Sequence, residues 1–244
     1  MSIKFIADLH LRPEQPQMVQ LFVNFLHEQT QDGELNALYI LGDLFEAWIG
    51  DDFVPPGMDT VLTALSQLAH SGVKLYFMHG NRDFLVGEEF AAQTDCQLLP
   101  EYQVIDLYGT PTLLMHGDLL CSDDVDYMKF RDMVRNPKWQ HDFLAKSVSE
   151  RIATAQAARK ESQQKTQQLA NEIMDVNQDT VQQTMLKWQV PQLIHGHTHR
   201  PNVHEFIVDR KPAKRIVLGD WYEQGSVLVC DPQGCRLLTL NPQP

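Results

Sequence analysis

Five times along this chain an apolar, strand-like run ends in residues able to bind metal ions. The blocks are Asp8-Leu9-His10, Gly42-Asp43, Gly80-Asn81, His116-Gly117 and His195-Gly196-His197-Thr198-His199. No other feature constrains the fold as tightly. Each apolar run carries its chain to one sheet edge and delivers polar side chains there, where open α/β sheets bind ligands. Singly, each block is ordinary, since Gly-Asp or Gly-Asn after a strand is turn chemistry. Together, all with nitrogen or oxygen donors, they read as one site.

The segments between the blocks support a layered α/β fold. "SIKFIADLH", the nearly continuous apolar "ALYILGD", "VKLYFMHGNRD" and "TPTLLMHGD" read as strands. "EQPQMVQLFVNFLHEQTQD", "MDTVLTALSQLAHSG" (with Gly72 near its C-cap) and "GEEFAAQTD" read as helices. From Asp118 to His195 there is no glycine, and the only prolines are Pro137 and Pro191, so this stretch is expected to be helical. Trp139, Phe143, Leu144, Val148, Ile152 and Ala155 are predicted to share one helical face. The strands return in "PQLIHGHTH", "RIVLGDW" and "GSVLVCD". The expected organisation is one domain over 1–244, with a helical insert at 122–188 acting as a cap.

Charge separates that insert from the rest. The chain of 244 residues carries a net charge of −12, which argues against a nucleic-acid partner. Residues 129–165 nevertheless hold nine Lys/Arg against four Asp/Glu. Two readings compete: a solvated helical excursion, or a cap that touches an anionic, partly apolar ligand or a membrane surface. No apolar run approaches the ~18–20 residues of a membrane span. The N-terminus lacks signal-peptide features, so a cytoplasmic protein is expected. Cys96, Cys121, Cys230 and Cys235 are accordingly expected as reduced thiols.

Carboxylate, amide oxygen and imidazole, with no thiolate, suit Mn²⁺, Fe²⁺ or Zn²⁺ in an open catalytic site. Seven ligands suit two ions sharing a carboxylate. Such a pair, about 3.5–4 Å apart, activates water and clamps the oxygens of a phosphoryl transfer. Spacing alone leaves open which two of His195, His197 and His199 bind.

In order, residue type and strand-end context the five blocks resemble the signature blocks of the calcineurin-like metallophosphoesterases. The resemblance spans residues 8 to 199 and implies a sandwich of two sheets flanked by helices. It implies one metal on Asp8, His10, Asp43 and His197, and another on Asp43, Asn81, His116 and His195, with Asp43 bridging and His199 behind the ligands. The third block usually reads Gly-Asn-His-Asp in that family, and here it reads Gly80-Asn81-Arg82-Asp83. With "ADLHL", "LGDLFEAWIGDD", "HGNRDFL", "MHGD", "IMDVNQ" and "IHGHTHRP", this departure is similar to the branch of the family that cleaves the diphosphate of a UDP-sugar bearing two acyl chains.

That resemblance implies two Mn²⁺ per chain, attack by metal-activated hydroxide on the uridine-linked phosphorus, and a peripheral monomer on the cytoplasmic face of the inner membrane. It implies catalytic roles for Asn81, Arg82 and His116, and substrate contacts from Asn81, Arg82, Asp124, Ser162 and His195, which Thr166, one helical turn after Ser162, would join. The branch also uses a lysine from this stretch; Leu169 stands near its position here, and Lys165 could substitute. Arg82 cannot act as an acid, because its pKa exceeds about 12. A departing phosphate monoester, with a second pKa near 6, hardly needs one. Arg82 therefore fits a phosphoanhydride. The alternatives are a calcineurin-like enzyme acting on other phosphoesters, or a non-catalytic metal-binding scaffold. Among the remaining residues Phe45 and Trp48 read as core or pocket wall, Glu46 and Asp83 as supports, Asp51 and Asp52 as a solvated turn, and His79 and His204 as structural.

Overall fold

The computed structural model describes residues 1–166 and 175–242, with side chains throughout except at 162–166. Two sheets form its centre. The first runs β11-β10-β1-β2-β3-β4, where β1 is Ser2–Ile6, β2 Leu35–Ile40, β3 Lys74–Met78, β4 Cys96–Leu99, β10 Gly225–Asp231 and β11 Gly234–Leu240. Strands β1 to β4 are parallel, and β10 and β11 close the edge antiparallel. The second runs β5-β6-β7-β9-β8, with β5 Gln103–Leu107, β6 Thr110–Leu114, β7 Gln192–His195, β8 Asn202–Val208 and β9 Lys211–Val217. Here β6, β7 and β9 are parallel neighbours. The two-sheet sandwich agrees with the expectation. Strands β4, β5, β8 and β11 were not predicted, being short or amphipathic edge elements.

Alternation along the strands builds two cores. Ile6, Leu38, Ile40 and Phe77 face helices α1 (Pro16–Asp32), α2 (Asp59–His70) and α3 (Glu88–Thr94), meeting Phe22, Phe25, Leu62 and Leu65. Phe5, Tyr39 and Leu228 belong to a second core that also takes in both faces of the second sheet, with Leu113 on one and Ile194 on the other. The continuous apolar strands are thus buried on both faces, as parallel strands are.

Between β6 and β7 lie a 3-10 turn (Asp118–Leu120) and helices α4 (Val125–Val134), α5 (Pro137–Leu144), α6 (Val148–Thr166) and α7 (Gln178–Trp188). The single helical stripe expected from Trp139 to Ala155 is corrected by this division. Asn136 caps α5 and Pro137 begins it. Trp139, Phe143, Val148, Ile152 and Ala155 pack on the core, whereas Leu144 is 41% exposed.

Two further expectations are corrected. Cys230 and Cys235 form a disulfide, because the Pro232-Gln233 turn sets them directly opposite on β10 and β11. Cys96 and Cys121 remain buried thiols. Asp51 and Asp52 are anchors and not a solvated turn. Asp51 accepts from Trp48 Nε1 and from the Gly87 and Phe90 amides at the start of α3, and Asp52 pairs with Arg151 of α6.

Candidate metal centre

The loops that leave β1, β2, β3, β6 and β7 meet at one edge of the sandwich. Their approach depends on glycine. A Cβ on Gly80 would lie 2.1 Å from Asp43 Oδ1, one on Gly42 2.5 Å from Gly80 N, and one on Gly196 2.4 Å from Asp8 Oδ2. The backbone turns sharply at the donors themselves: Asp8, His10, Asp43, His197 and His199 all have φ between 49 and 71°. Such left-handed residues cost on the order of 1–3 kcal/mol each and persist where surroundings over-determine them. Those surroundings are visible: Asp8 N bonds Gly42 O, His10 N bonds Asp43 O, and Gly196 N bonds His116 O. The fully buried Asp83 carboxylate accepts the Gly80, Asp43 and Leu44 amides, tying two loops together as the expected support.

The donors fall into two lobes. In one, His10 Nε2 faces His199 Nε2 at 3.2 Å, and His199 Nε2 lies 3.5 Å from Asp8 Oδ1. In the other, Asn81 Oδ1 is 3.0 Å from both His116 Nε2 and His197 Nδ1. Asp43 Oδ2 lies between them, 3.9 Å from His10 Nε2 and 3.8 Å from His116 Nε2. Asp8, His10 and His199, and likewise Asp8, Asp43 and His116, each converge closely enough to hold one ion.

This arrangement differs from the expected histidine set. His195 is fully buried, with Nδ1 on Gly196 O at 2.8 Å and Nε2 on Arg215 Nη1 at 3.1 Å, so its ring nitrogens are engaged outside the cluster. His199 stands inside it. His195 is the last residue of β7 and still projects from the sheet face toward Arg215, whereas His197 and His199 follow the release of the chain at Gly196 and reach the site. The Gly196-His197-x-His199 block carried that signal.

The electrostatics describe a site short of positive charge. Burial would raise Asp8, but the His199 ring beside it and the other nearby histidines hold it well below the usual carboxylate range. Burial drives Asp43 up to about 7, with His116 opposing and Asp83 and Asp8 adding to the rise. Burial lowers His10, and burial with the His116 charge lowers His197 to about 4, which keeps both rings in the neutral, ligating form. Although burial opposes it, Asp43 and Asp8 raise His116, and Asp8 raises His199, toward the protonated form, so two ionisable acids and two proton-holding rings share this space, a set of protons that a divalent cation would replace. Asp8 Oδ1 accepts no well-formed hydrogen bond among the described residues, as expected of an oxygen set aside for a cation.

Other residues surround the lobes. Glu46 pairs with Arg12 at 3.1 Å and with Arg159 of α6, and lies 3.9 Å from His10 Nδ1. Asp220 faces His199 Nδ1 at 3.6 Å, and the Tyr222 ring stacks on His10 at 5.2 Å. Sequence reasoning missed both residues, although Gly219-Asp220 after β9 repeats the strand-end Gly-Asp pattern. Tyr127 of α4 bonds Asp118, and Arg135 at the C-cap of that helix bonds Gly80 O at 2.9 Å. Asp124, expected at the substrate, caps α4 by accepting the Tyr127 amide. The side chains of Ser162, Lys165 and Thr166 lie outside the described set, as does Leu169. Phe45 and Trp48 are core, and His79 Nε2 bonds Val86 O.

A sandwich of two mixed sheets with a histidine- and carboxylate-rich strand edge defines a metallophosphoesterase. The profile of the family described as Calcineurin-like phosphoesterase matches residues 1–201, and the chain belongs to that family. Within it, the chain is 48% identical over 247 residues to the UDP-2,3-diacylglucosamine hydrolase of Stenotrophomonas maltophilia, covering 98% of this chain and 99% of that one. It is 49% identical to the protein of the same name from Pseudomonas paraeruginosa, covering 97% and 98%. A solved archaeal phosphodiesterase shares the fold at a TM-score of 0.52 and 12% identity, covering 98% of this chain and all of that one. The family implies a divalent metal site. No helix among the described residues is long and apolar enough to cross a membrane.

Proposed function

We propose that this chain hydrolyses the diphosphate of UDP-2,3-diacylglucosamine, the substrate named in its relatives, to UMP and 2,3-diacylglucosamine 1-phosphate in lipid A biosynthesis. The observation that carries this reading is an arginine, Arg82, set beside a two-lobed donor cluster. In this reading Asp8, His10, Asp43 and His199 hold one Mn²⁺, and Asp43, Asn81, His116 and His197 hold the other. When bound, the ions supply an activated water for attack at the uridine-linked phosphorus and neutralise charge on the phosphoryl oxygens.

The chain's own groups do the rest. His116 Nδ1 is engaged by Leu41 O, so only Nε2 is presented to the site. Arg82 is tied by its backbone amide to Asp43 Oδ1 at 2.8 Å, and its buried Nε has no partner among the described residues, a donor in keeping with a role in binding phosphate oxygens. It supplies charge and no proton, as a phosphate leaving group requires. Beside Asn81, the side chains of Phe84, Tyr127, Phe130, Val134 and Arg135 line a small recess that brings apolar rings and one cation next to the donor cluster. The helices between β6 and β7 then act as a cap on one catalytic domain. A membrane lipid as substrate supports a peripheral position on the cytoplasmic face of the inner membrane, and the chain is proposed to act there as a monomer.

The test is Mn²⁺-dependent release of UMP from UDP-2,3-diacylglucosamine, run beside p-nitrophenyl phosphate and a cyclic nucleotide. UMP release with little turnover of the other two is expected. Preference for either of those would move the chain to another phosphoesterase activity, and silence with all three would indicate a scaffold.

A further inference from the structure

We propose that Arg215 and His195 form a positioning pair that sets the two histidine-bearing loops of the metal centre, with His195 a support and not a ligand. The inference rests on the metal-centre reading above. His195 on β7 pairs in register with Val217 of β9, so Arg215, two residues earlier on β9, projects from the same sheet face. Arginine only donates hydrogen bonds. His195 Nε2, 3.1 Å from Arg215 Nη1, is therefore the acceptor, and Nδ1 carries the hydrogen and donates to Gly196 O at 2.8 Å. Both ring nitrogens are used, and neither is left for a cation.

The ring occupies the space behind both loops. A Cβ on Gly117 would lie 2.7 Å from His195 Nδ1, so the imidazole packs directly against the residue that follows His116. Through Gly196 it also fixes the start of the loop carrying His197 and His199, whose Gly196 amide bonds His116 O at 2.8 Å. One ring thus spaces three candidate ligands.

Arg215 itself is only 3% exposed; its main counter-charge, Asp175, acts on it from beyond ion-pair distance. Its one direct hydrogen-bond partner among the described residues is the neutral His195 ring. Buried cations are normally paired, and an apolar side chain of similar volume often serves a fold as well or better. What the arginine does here is visible at the imidazole: it selects the tautomer that holds Gly196. Outer hydrogen-bond partners of metal ligands act in this way, by fixing orientation.

The experiment is a Mn²⁺ titration of the full chain followed by the EPR signal of free Mn²⁺, with circular dichroism confirming the folded state at the same temperature. Arg215→Met and His195→Leu should each weaken Mn²⁺ binding roughly 10- to 100-fold, while His195→Gln, whose amide can make both hydrogen bonds, stays within about threefold. Excess Mn²⁺ should restore kcat to the two weakened variants with KM for the substrate unchanged. Should Arg215→Met fail to fold, the contrast between His195→Leu and His195→Gln decides. Wild-type Mn²⁺ affinity in both Arg215→Met and His195→Leu would overturn the pair. So would loss in His195→Gln with no loss in Arg215→Met, the pattern of a direct ligand. Absence of Mn²⁺ binding by the unaltered chain would overturn the metal-centre reading and the pair with it.

Discussion

At the strand ends the candidate ligands are held by main chain: five left-handed residues, glycines that permit van der Waals approach, and amides gathered by Asp83. In the helices between β6 and β7 the attachment is made by charged side chains. Arg131 pairs with Asp118 and Glu101, Arg135 bonds Gly80 O, Arg151 grips Asp52 and Ile49 O, and Arg159 meets Glu46. The first region is rigid by covalent geometry and burial. The second is pinned at a few points and packed through Trp139, Phe143 and Ile152. The contrast shows where the basic surplus of 129–165 goes: four of its arginines fasten the helices to the core, so that surplus alone does not describe a lipid-facing surface.

Substitutions in the two regions should act differently, and the largest effect is expected at the centre. Asp43→Asn should lower kcat/KM on the order of 10³-fold, several kcal/mol of transition-state stabilisation, without lowering the melting temperature of the metal-free protein. The carboxylate is crowded by Asp8 and Asp83, and the amide retains the bond from Arg82 N. Parallel loss of activity and metal-free stability, read by assay and thermal melt in EDTA, would show that the strand ends are not a region where function opposes stability.

Next in size, Arg82→His should reduce diphosphate cleavage roughly 10- to 100-fold, the value of about one charge-assisted hydrogen bond, with no gain on p-nitrophenyl phosphate. Intact cleavage would separate Arg82 from the reaction.

Arg151→Met addresses the cap. It should remove about 1–3 kcal/mol of stability, because the buried fork loses Ile49 O and Asp52 together. Helices α4 to α6 should become susceptible to limited proteolysis while the sheets resist, and KM should rise more than kcat falls. A fall in kcat alone would mean that the cap orders the reacting groups and does not merely retain substrate.

Smallest is the paired substitution Cys230→Ser and Cys235→Ser. The disulfide closes only a short loop, so a loss of no more than about 2 kcal/mol is expected, visible in urea titration, with unchanged kcat/KM. A change in activity would couple the distant sheet edge to the centre.

Much of the architecture was legible because apolar strands buried on both faces leave a strong local signal, as in "ALYILGD" and "VKLYFM". The edge strands β4, β5, β8 and β11 were not, since their pairing depends on a neighbour brought from elsewhere in the chain. Asp8, His10, Asp43, Asn81 and His116 were legible as donors from their strand-end blocks. The resemblance took His195 as a ligand and left His199 behind, the reverse of how their rings are set, and Asp220 and Tyr222 went unnoticed. Asp51 and Asp52 looked like a solvated turn because their partners, Gly87, Phe90 and Arg151, lie 36 to 99 residues away.

Side-chain chemistry and local periodicity, both readable along the chain, establish the order of the main strands and helices and the chemical type of the donors. They also reveal an arginine where a family of phosphoesterases usually has histidine. Which histidines converge, what the insert's arginines hold and that Cys230 meets Cys235 were settled in three dimensions. Each of those depends on distances between residues brought together from separate elements, which periodicity does not encode and packing of the two sheets sets.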